Sequence, residues 1–143
     1  MTTIERRVTV DQPLEKVFEY LSDFTTTNEW DPGTVETVRV SGDGGVGTTY
    51  RNTTSFAGMK TQLTYVVEKL EPGKVIALHG ENGTVVARDT MTFARTTTGT
   101  AVTYVAVFDF KGLVKYVAPL MAPLFKKLGD DAANGMREAL GRL

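Results

Sequence analysis

The feature that most constrains this chain is a change of period. Between positions 35 and 110, apolar residues recur at every second position in six runs: 35–40, 48–56, 60–71, 74–81, 84–95 and 100–110. Short turn signals part them: a glycine-rich stretch at 42–47, then Ala57-Gly58, Pro72-Gly73, Asn82-Gly83 and Thr98-Gly99. Alternation sends successive side chains to opposite faces of a strand, and connections this short leave no room for crossover helices. The six strands are therefore expected to form an antiparallel meander. Asn82-Gly83 is the strongest short signal for a two-residue type I′ hairpin.

Outside the meander the pattern is helical, apart from one β-rich run at 4–10. Pro13 fits the first turn of a helix, with Asp11 as its candidate N-cap, and Leu14, Val17, Phe18 and Leu21 form one apolar stripe. A second brief helical turn is expected over 24–30, stopped by Asp31-Pro32-Gly33. Near the C-terminus Leu124, Leu128, Ala132, Met136, Ala139 or Leu140, and Leu143 recur at helical spacing. Proline is costly inside a helix, so the main helix is expected to begin near Pro123, with residues 113–121 forming a turn or two of their own.

Composition narrows the functions available. A chain of 143 residues fits one domain, 1–143, with a substantial core. Sixteen basic and seventeen acidic residues leave no electrostatic footprint for nucleic acid, and no nucleic-acid or membrane partner is expected. With no cysteine and one histidine, thiolate chemistry and the common zinc patterns are excluded, so no metal and no cofactor is expected. The N-terminus runs straight into alternation, without the apolar stretch of a signal peptide. A cytoplasmic protein is the expectation, and the two glycosylation-like sequons at Asn52 and Asn82 are read as chance matches. Gly42-x-Gly44-x-x-Gly47 spells the dinucleotide-binding pattern, but an alternating run follows it where that site requires a helix N-terminus. It is read as a turn between strands.

Taken together, the order is one strand, two short helices, six antiparallel strands and one long helix. It resembles the START-related superfamily, which includes birch-pollen allergens, lipid-transfer START domains and the polyketide cyclase/dehydrase group. The resemblance is carried by "VTVDQPLEKVFEYLSDFTTTNEWDPGTVETVRV" from Val8, by Gly47-Thr48, by "EKLEPGKVI" at 68–76, by "DTMTFARTTTGTAVTY" at 89–104 and by the terminal helix. It covers essentially the whole chain. It implies an α+β helix-grip fold: a curved antiparallel sheet of about seven strands wrapped around the C-terminal helix, with an apolar cavity between them. Fold alone leaves function open.

Candidate site residues come from the alternation. Val102, Tyr104, Ala106, Phe108 and Phe110 share one face, as do Tyr50 with Phe56 and Tyr65 with Val67. Met91 shares its face with Val85, Ala87 and Phe93, and so does Asp89 unless a bulge turns it outward. A buried carboxylate needs a partner, for which Tyr104, the surroundings of Arg88 or a ligand group are candidates. Asp109 is expected to be exposed. On the last helix Ala132, Met136 and Ala139, with Gly129 and Gly135 nearby, are small or adaptable residues that would leave room for a guest. The apolar 113–128 region, with Tyr116, Leu120 and Leu124, is expected to close one mouth of the cavity.

Trp30, the sole tryptophan, sits in a turn-like stretch where its ring gains nothing from solvent. It is expected to fold inward near Phe18 or Phe24, and to line the entrance. The expected ligand set is thus Trp30, Tyr50, Phe56, Tyr65, Val67, Met91, Tyr104, Ala106, Phe108, Tyr116, Leu120, Leu124 and Met136. A cavity of roughly 300–1,000 Å³ is expected, bounded by Tyr65, Tyr104, Phe108, Met136 and the 120–124 region. The leading functional expectation is binding of a small apolar molecule (a lipid, a polyketide-like or an aromatic compound) by a monomer or homodimer. An alternative is a polyketide cyclase/aromatase-type enzyme, with Asp89, His79 or a tyrosine moving protons. A second alternative is a protein-interaction module of the same superfamily.

Overall fold

The alternating runs assemble into one seven-stranded antiparallel sheet of order β1-β7-β6-β5-β4-β3-β2. The computed structural model describes residues 1–143. Strand β1 (Thr2–Val10) leads to α1 (Leu14–Ser22), a 3₁₀ turn (Phe24–Thr26) and α2 (Thr27–Trp30). The meander follows as β2 (Thr34–Ser41), β3 (Thr49–Phe56), β4 (Met59–Glu71), β5 (Val75–Glu81), β6 (Val85–Arg95) and β7 (Thr100–Phe110). Helix α3 (Val114–Val117) and a second 3₁₀ turn (Ala118–Met121) precede α4 (Ala122–Gly141). This is a helix-grip fold. The first strand returns to close the far edge of the meander by pairing with β7 from Thr2↔Phe108 to Val10↔Thr100.

Three local expectations are corrected. Asp11 does not cap α1: Pro13 stands at the cap, and the Asp11 carboxylate instead accepts the Thr98 hydroxyl at 3.0 Å, tying down the β6–β7 turn. The β5–β6 turn is not type I′, because neither Asn82 nor Gly83 has positive φ. Asn82 Oδ1 accepts the backbone N–H groups of Thr84 and Val85 at 2.7 and 2.9 Å, a side-chain bond that replaces the left-handed backbone. The left-handed pair lies at Ala57-Gly58, with φ of 54° and 78°, closed by the Phe56↔Met59 pair. The glycine-rich stretch at 42–47 does connect two strands: Gly47 N–H donates to the Val67 carbonyl at 2.8 Å.

The third correction concerns the glycines of α4. They bring elements together, and of Gly129 and Gly135 only Gly129 also borders open space. A β-carbon at Gly135 would lie 1.9 Å from the Trp30 carbonyl oxygen, and one at Gly129 would lie 2.6 Å from Ile4 Cγ2. Helices α2 and α4 thus touch backbone to backbone, and α4 lies close on β1, where Arg6 Nε also donates to Asp130 at 2.9 Å. One end of the grip is solid, with Val8, Val17, Ile76, Met91, Val102, Met136 and Leu140 almost wholly buried in the main core. A smaller aromatic group, Phe125 with Phe56, Phe108 and Phe110, forms at the other end of α4. The candidate site lies where these two groups meet.

Candidate functional site

The parity of β6 decides the site. Its burial alternates strictly from Val85 to Phe93, and its register with β5 and β7 runs without a shift, so no bulge turns Asp89 outward. Asp89 is 4% exposed and on the concave face. On the neighbouring strand Tyr104 points the same way, and its hydroxyl donates to Asp89 Oδ2 at 2.9 Å. Asp89 Oδ1 has no partner in the protein. Desolvation holds the Asp89 carboxyl well above its ordinary range, at about 7, with the nearby Asp31 adding to the rise and the Tyr104 hydrogen bond opposing it.

Above this pair is a cavity of about 140 Å³, bounded by β1, β3, β4, β6, β7, α2 and α4. Fourteen of its 21 lining residues are hydrophobic, which makes it a greasy space with a few polar points. Trp30 closes one side. Its indole is 2% exposed, donates Nε1–H to Thr26 Oγ1 at 3.2 Å, and meets the Tyr104 ring edge to face at 5.9 Å. Its ring partner is thus Tyr104, and Gly135 of α4 receives its backbone. The tryptophan both anchors α2 and lines the cavity.

Asp31, the residue after Trp30, also lines the space. Its carboxylate accepts Gly33 N–H and the Thr34 hydroxyl, both at 3.0 Å, while burial pushes its pKa upward against those two bonds. Tyr65 faces Asp89 from β4, and desolvation pushes its hydroxyl well above the ordinary tyrosine range. A polar wall completes the lining. The Thr27 and Thr37 hydroxyls lie 2.7 Å apart, Asn52 Nδ2 donates to Thr37 at 2.8 Å, and the Thr54 hydroxyl donates to Asn52 at 2.6 Å. These groups satisfy one another and leave Asp89 Oδ1 as the orphan.

Of the residues expected from sequence, Trp30, Phe56, Tyr65, Tyr104, Ala106 and Phe108 line the cavity together with Asp89. Tyr50, Val67, Met91 and Met136 lie in the packed core instead, each at 1% exposure. Their faces are as expected, but that end of the grip is filled, which is also why the cavity is smaller than the expected 300–1,000 Å³. His79 lies outside: its neighbours Leu78 and Gly80 face inward, so its own side chain meets Glu81 on the convex face, 3.2 Å away. Asp109 lies on that face too, accepting from Arg88 at 2.9 Å. Tyr116, Leu120 and Leu124 are 69, 80 and 42% exposed and do not bound the cavity. Phe125, one position on from Leu124, takes the inward place on α4, because the helix starts at Ala122 and sets the phase. Sequence reasoning missed Asp31 and Asn52, polar residues beside a turn and in a threonine-rich strand, whose only signal was parity with an inward neighbour.

Comparison with known proteins fits this geometry. The structure of the ZhuI aromatase/cyclase from Streptomyces sp. R1128 superposes with a TM-score of 0.84 at 16% identity, covering 99% of this chain and 94% of that one. A START superfamily protein from Mycobacterium smegmatis gives 0.81 at 12% identity, covering 98% of this chain and 97% of that one. Ara h 8.0201 gives 0.62 at 16% identity, with 94 and 97% covered. At such identities these likenesses establish the fold alone. No curated protein sequence matches the chain. A family model does, over residues 1–143. The chain belongs to the family described as polyketide cyclase / dehydrase and lipid transport.

Proposed function

We propose that this protein, acting as a single unit over residues 1–143, binds a small, mostly apolar molecule in the cavity under α4. The observation that carries this reading is a hydrophobic space on the concave face beside a fully buried polar atom that has no partner, Asp89 Oδ1. Native proteins rarely leave such an atom alone, because an unpaired buried polar group costs about 1–3 kcal/mol. A guest that fills the apolar space and meets that oxygen removes both deficits. A cavity of about this volume admits a benzene-sized molecule, so the guest has on the order of six to eight heavy atoms in this state of the cavity. The family's description and the aromatase/cyclase among its fold relatives support a guest of polyketide-like, lipid or aromatic character.

The test is native mass spectrometry of freshly purified protein, followed by titration of the emptied chain with cyclohexylmethanol while Trp30 emission is recorded. An adduct that organic solvent strips away is expected, as are a blue-shifted emission from the buried Trp30 in the emptied chain and a change in it on titration. A bare chain whose emission ignores the alcohol overturns the reading.

One observation supports catalysis as a second reading. Asp89, with a carboxyl near 7, is hydrogen-bonded to Tyr104, giving two convergent ionisable groups inside the cavity. A carboxyl with a pKa near the working pH both takes and returns a proton, as dehydrative ring closure requires. On a substrate found by adduct analysis, Asp89→Asn and Tyr104→Phe are then expected to lower turnover by about 10²–10⁴. Unchanged turnover in both removes this reading and leaves the binding one.

A further inference from the structure

The charges around the cavity have one sign. Among its lining residues are two carboxylates, Asp31 and Asp89, and no lysine, arginine or histidine. Arg6, which shares its face of β1 with Ile4 and Val8 and lies beside Gly129, stands just outside the lining, its guanidinium committed to Asp130 and to the Lys126 carbonyl at 2.9 and 3.2 Å. The remaining polar lining groups are hydroxyls and an amide, and Thr27, Asn52 and Thr54 are already bonded to one another or to Thr37 and the backbone. An anionic headgroup entering this space would meet like charge, with only the neutral Tyr65 and Thr61 hydroxyls free to donate to it. A positive one would meet a carboxylate oxygen that nothing else occupies.

We infer that the cavity selects apolar amines: the ligand's ammonium donates to Asp89 Oδ1, its hydrocarbon part lies among Phe24, Leu63, Ala106, Phe108 and Phe125, and carboxylates are rejected. This inference rests on the cavity being the ligand site. Tyr104 holds the other carboxylate oxygen, so the acceptor has a fixed direction and the bond is charge-assisted. Specificity follows as much from the absent cation as from the carboxylate present, because a fatty acid would pay desolvation with no cation in return.

Protonation of Asp89 adds a signature. The groups facing it are Tyr104 from β7, Tyr65 from β4 and Asp31 from the segment after α2, whereas the α4 wall of Phe125, Leu128, Gly129 and Ala132 carries no titratable group. Within this set burial pushes both tyrosine hydroxyls well above their ordinary range, so the carboxylates are the groups left to change charge. An amine that needs ionised Asp89 therefore loses affinity as pH falls through about 7, while a neutral alcohol of the same skeleton does not.

Cyclohexylmethylamine, cyclohexylmethanol and cyclohexanecarboxylate share a skeleton and absorb no light near the tryptophan band, so Trp30 emission can follow all three. At pH 8 the amine is expected to bind about tenfold or more tighter than the alcohol, and the carboxylate weakest of all. At pH 5.5 the amine's advantage is expected to shrink severalfold, and in Asp89→Asn to vanish at both pH values while alcohol binding persists. The pH comparison needs only the natural chain, so it holds even if the variant fails to fold. An amine no tighter than the alcohol, or a carboxylate as tight as the amine, overturns this inference and leaves the apolar-ligand reading standing. Binding of none of the three overturns both.

Discussion

Asp89 costs the empty protein stability, and the cost depends on pH. Its folded-state pKa of about 7 lies above the ordinary 3.8, so between those values the folded chain binds more proton than the unfolded one. Stability therefore falls as pH rises through that window, and the penalty is complete above about 7. The shift corresponds to at most about 4 kcal/mol, less whatever the surroundings recover by relaxing. Asp89→Asn keeps an acceptor for Tyr104 and carries no charge. It is expected to be more stable than the natural chain at pH 8 by about 1–3 kcal/mol and to keep only about a quarter of that lead near pH 4.5, as read from urea unfolding. A difference of the same size at both pH values would mean that the carboxylate is not the origin. The sequence left the direction of Asp89 undecided between inward placement and a bulge. It was settled by the unshifted register with strands on both sides, a property of three strands together. Trp30 was legible sooner, since a large ring beside a turn has few places to go, although its partner Tyr104 lies 74 positions further along the chain.

Among the elements, the meander and the places of its turns were plain in the sequence, and the turn types were not. Asn82-Gly83 has the residues for positive φ, yet the Asn82 side chain supplies the turn's hydrogen bonds at ordinary φ. Ala57-Gly58 lacks the usual asparagine, yet β3 and β4 pair up to Phe56↔Met59 and leave two residues to reverse the chain. The long ladder imposes a left-handed conformation on Ala57 that an L-residue adopts at a cost of about 1–2 kcal/mol. Ala57→Asn restores the residue that tolerates this conformation and is expected to raise stability by about 0.5–1 kcal/mol, measured as a shift in the urea midpoint at constant slope. A lower midpoint would show that the turn does not hold that geometry in solution. The α3 region was misread for a related reason. Its apolar residues suggested a lid, but a four-residue helix holding Tyr116 and a single 3₁₀ turn holding Leu120 have no face long enough to bury them. Helix α4 was read correctly from Leu128 to Leu140, and only its first inward residue differs, Phe125 standing where Leu124 was expected.

At the scale of the whole molecule, the cavity is a local departure from close packing. The same helix and sheet that fill one end of the grip, around Met136 and Leu140, stay apart at the other, where Ala132 and Ala106 are the small residues facing the space. Empty apolar volume forfeits dispersion contacts, so a chain selected for stability alone would fill it. This gives a way to separate the cavity's energetic cost from its use. Ala132→Leu extends a branched side chain from α4 into the space without touching Asp89, Tyr104 or Trp30 by substitution. Burying the added carbons is expected to stabilise the protein by about 1–2 kcal/mol, raising the thermal midpoint by roughly 2–6 °C for a chain of this length. The same variant is expected to lose at least about tenfold in affinity for cyclohexylmethanol, because ligand and leucine would compete for one volume. Scanning calorimetry and the Trp30 titration measure the two effects on one preparation. If the substitution destabilises as overpacking does, by about 1–3 kcal/mol, then no free space faces Ala132 and the binding proposal loses its physical basis. If it stabilises and binding persists unchanged, the guest sits elsewhere. Only a gain in stability joined to a loss of binding identifies this cavity as space kept open for a ligand.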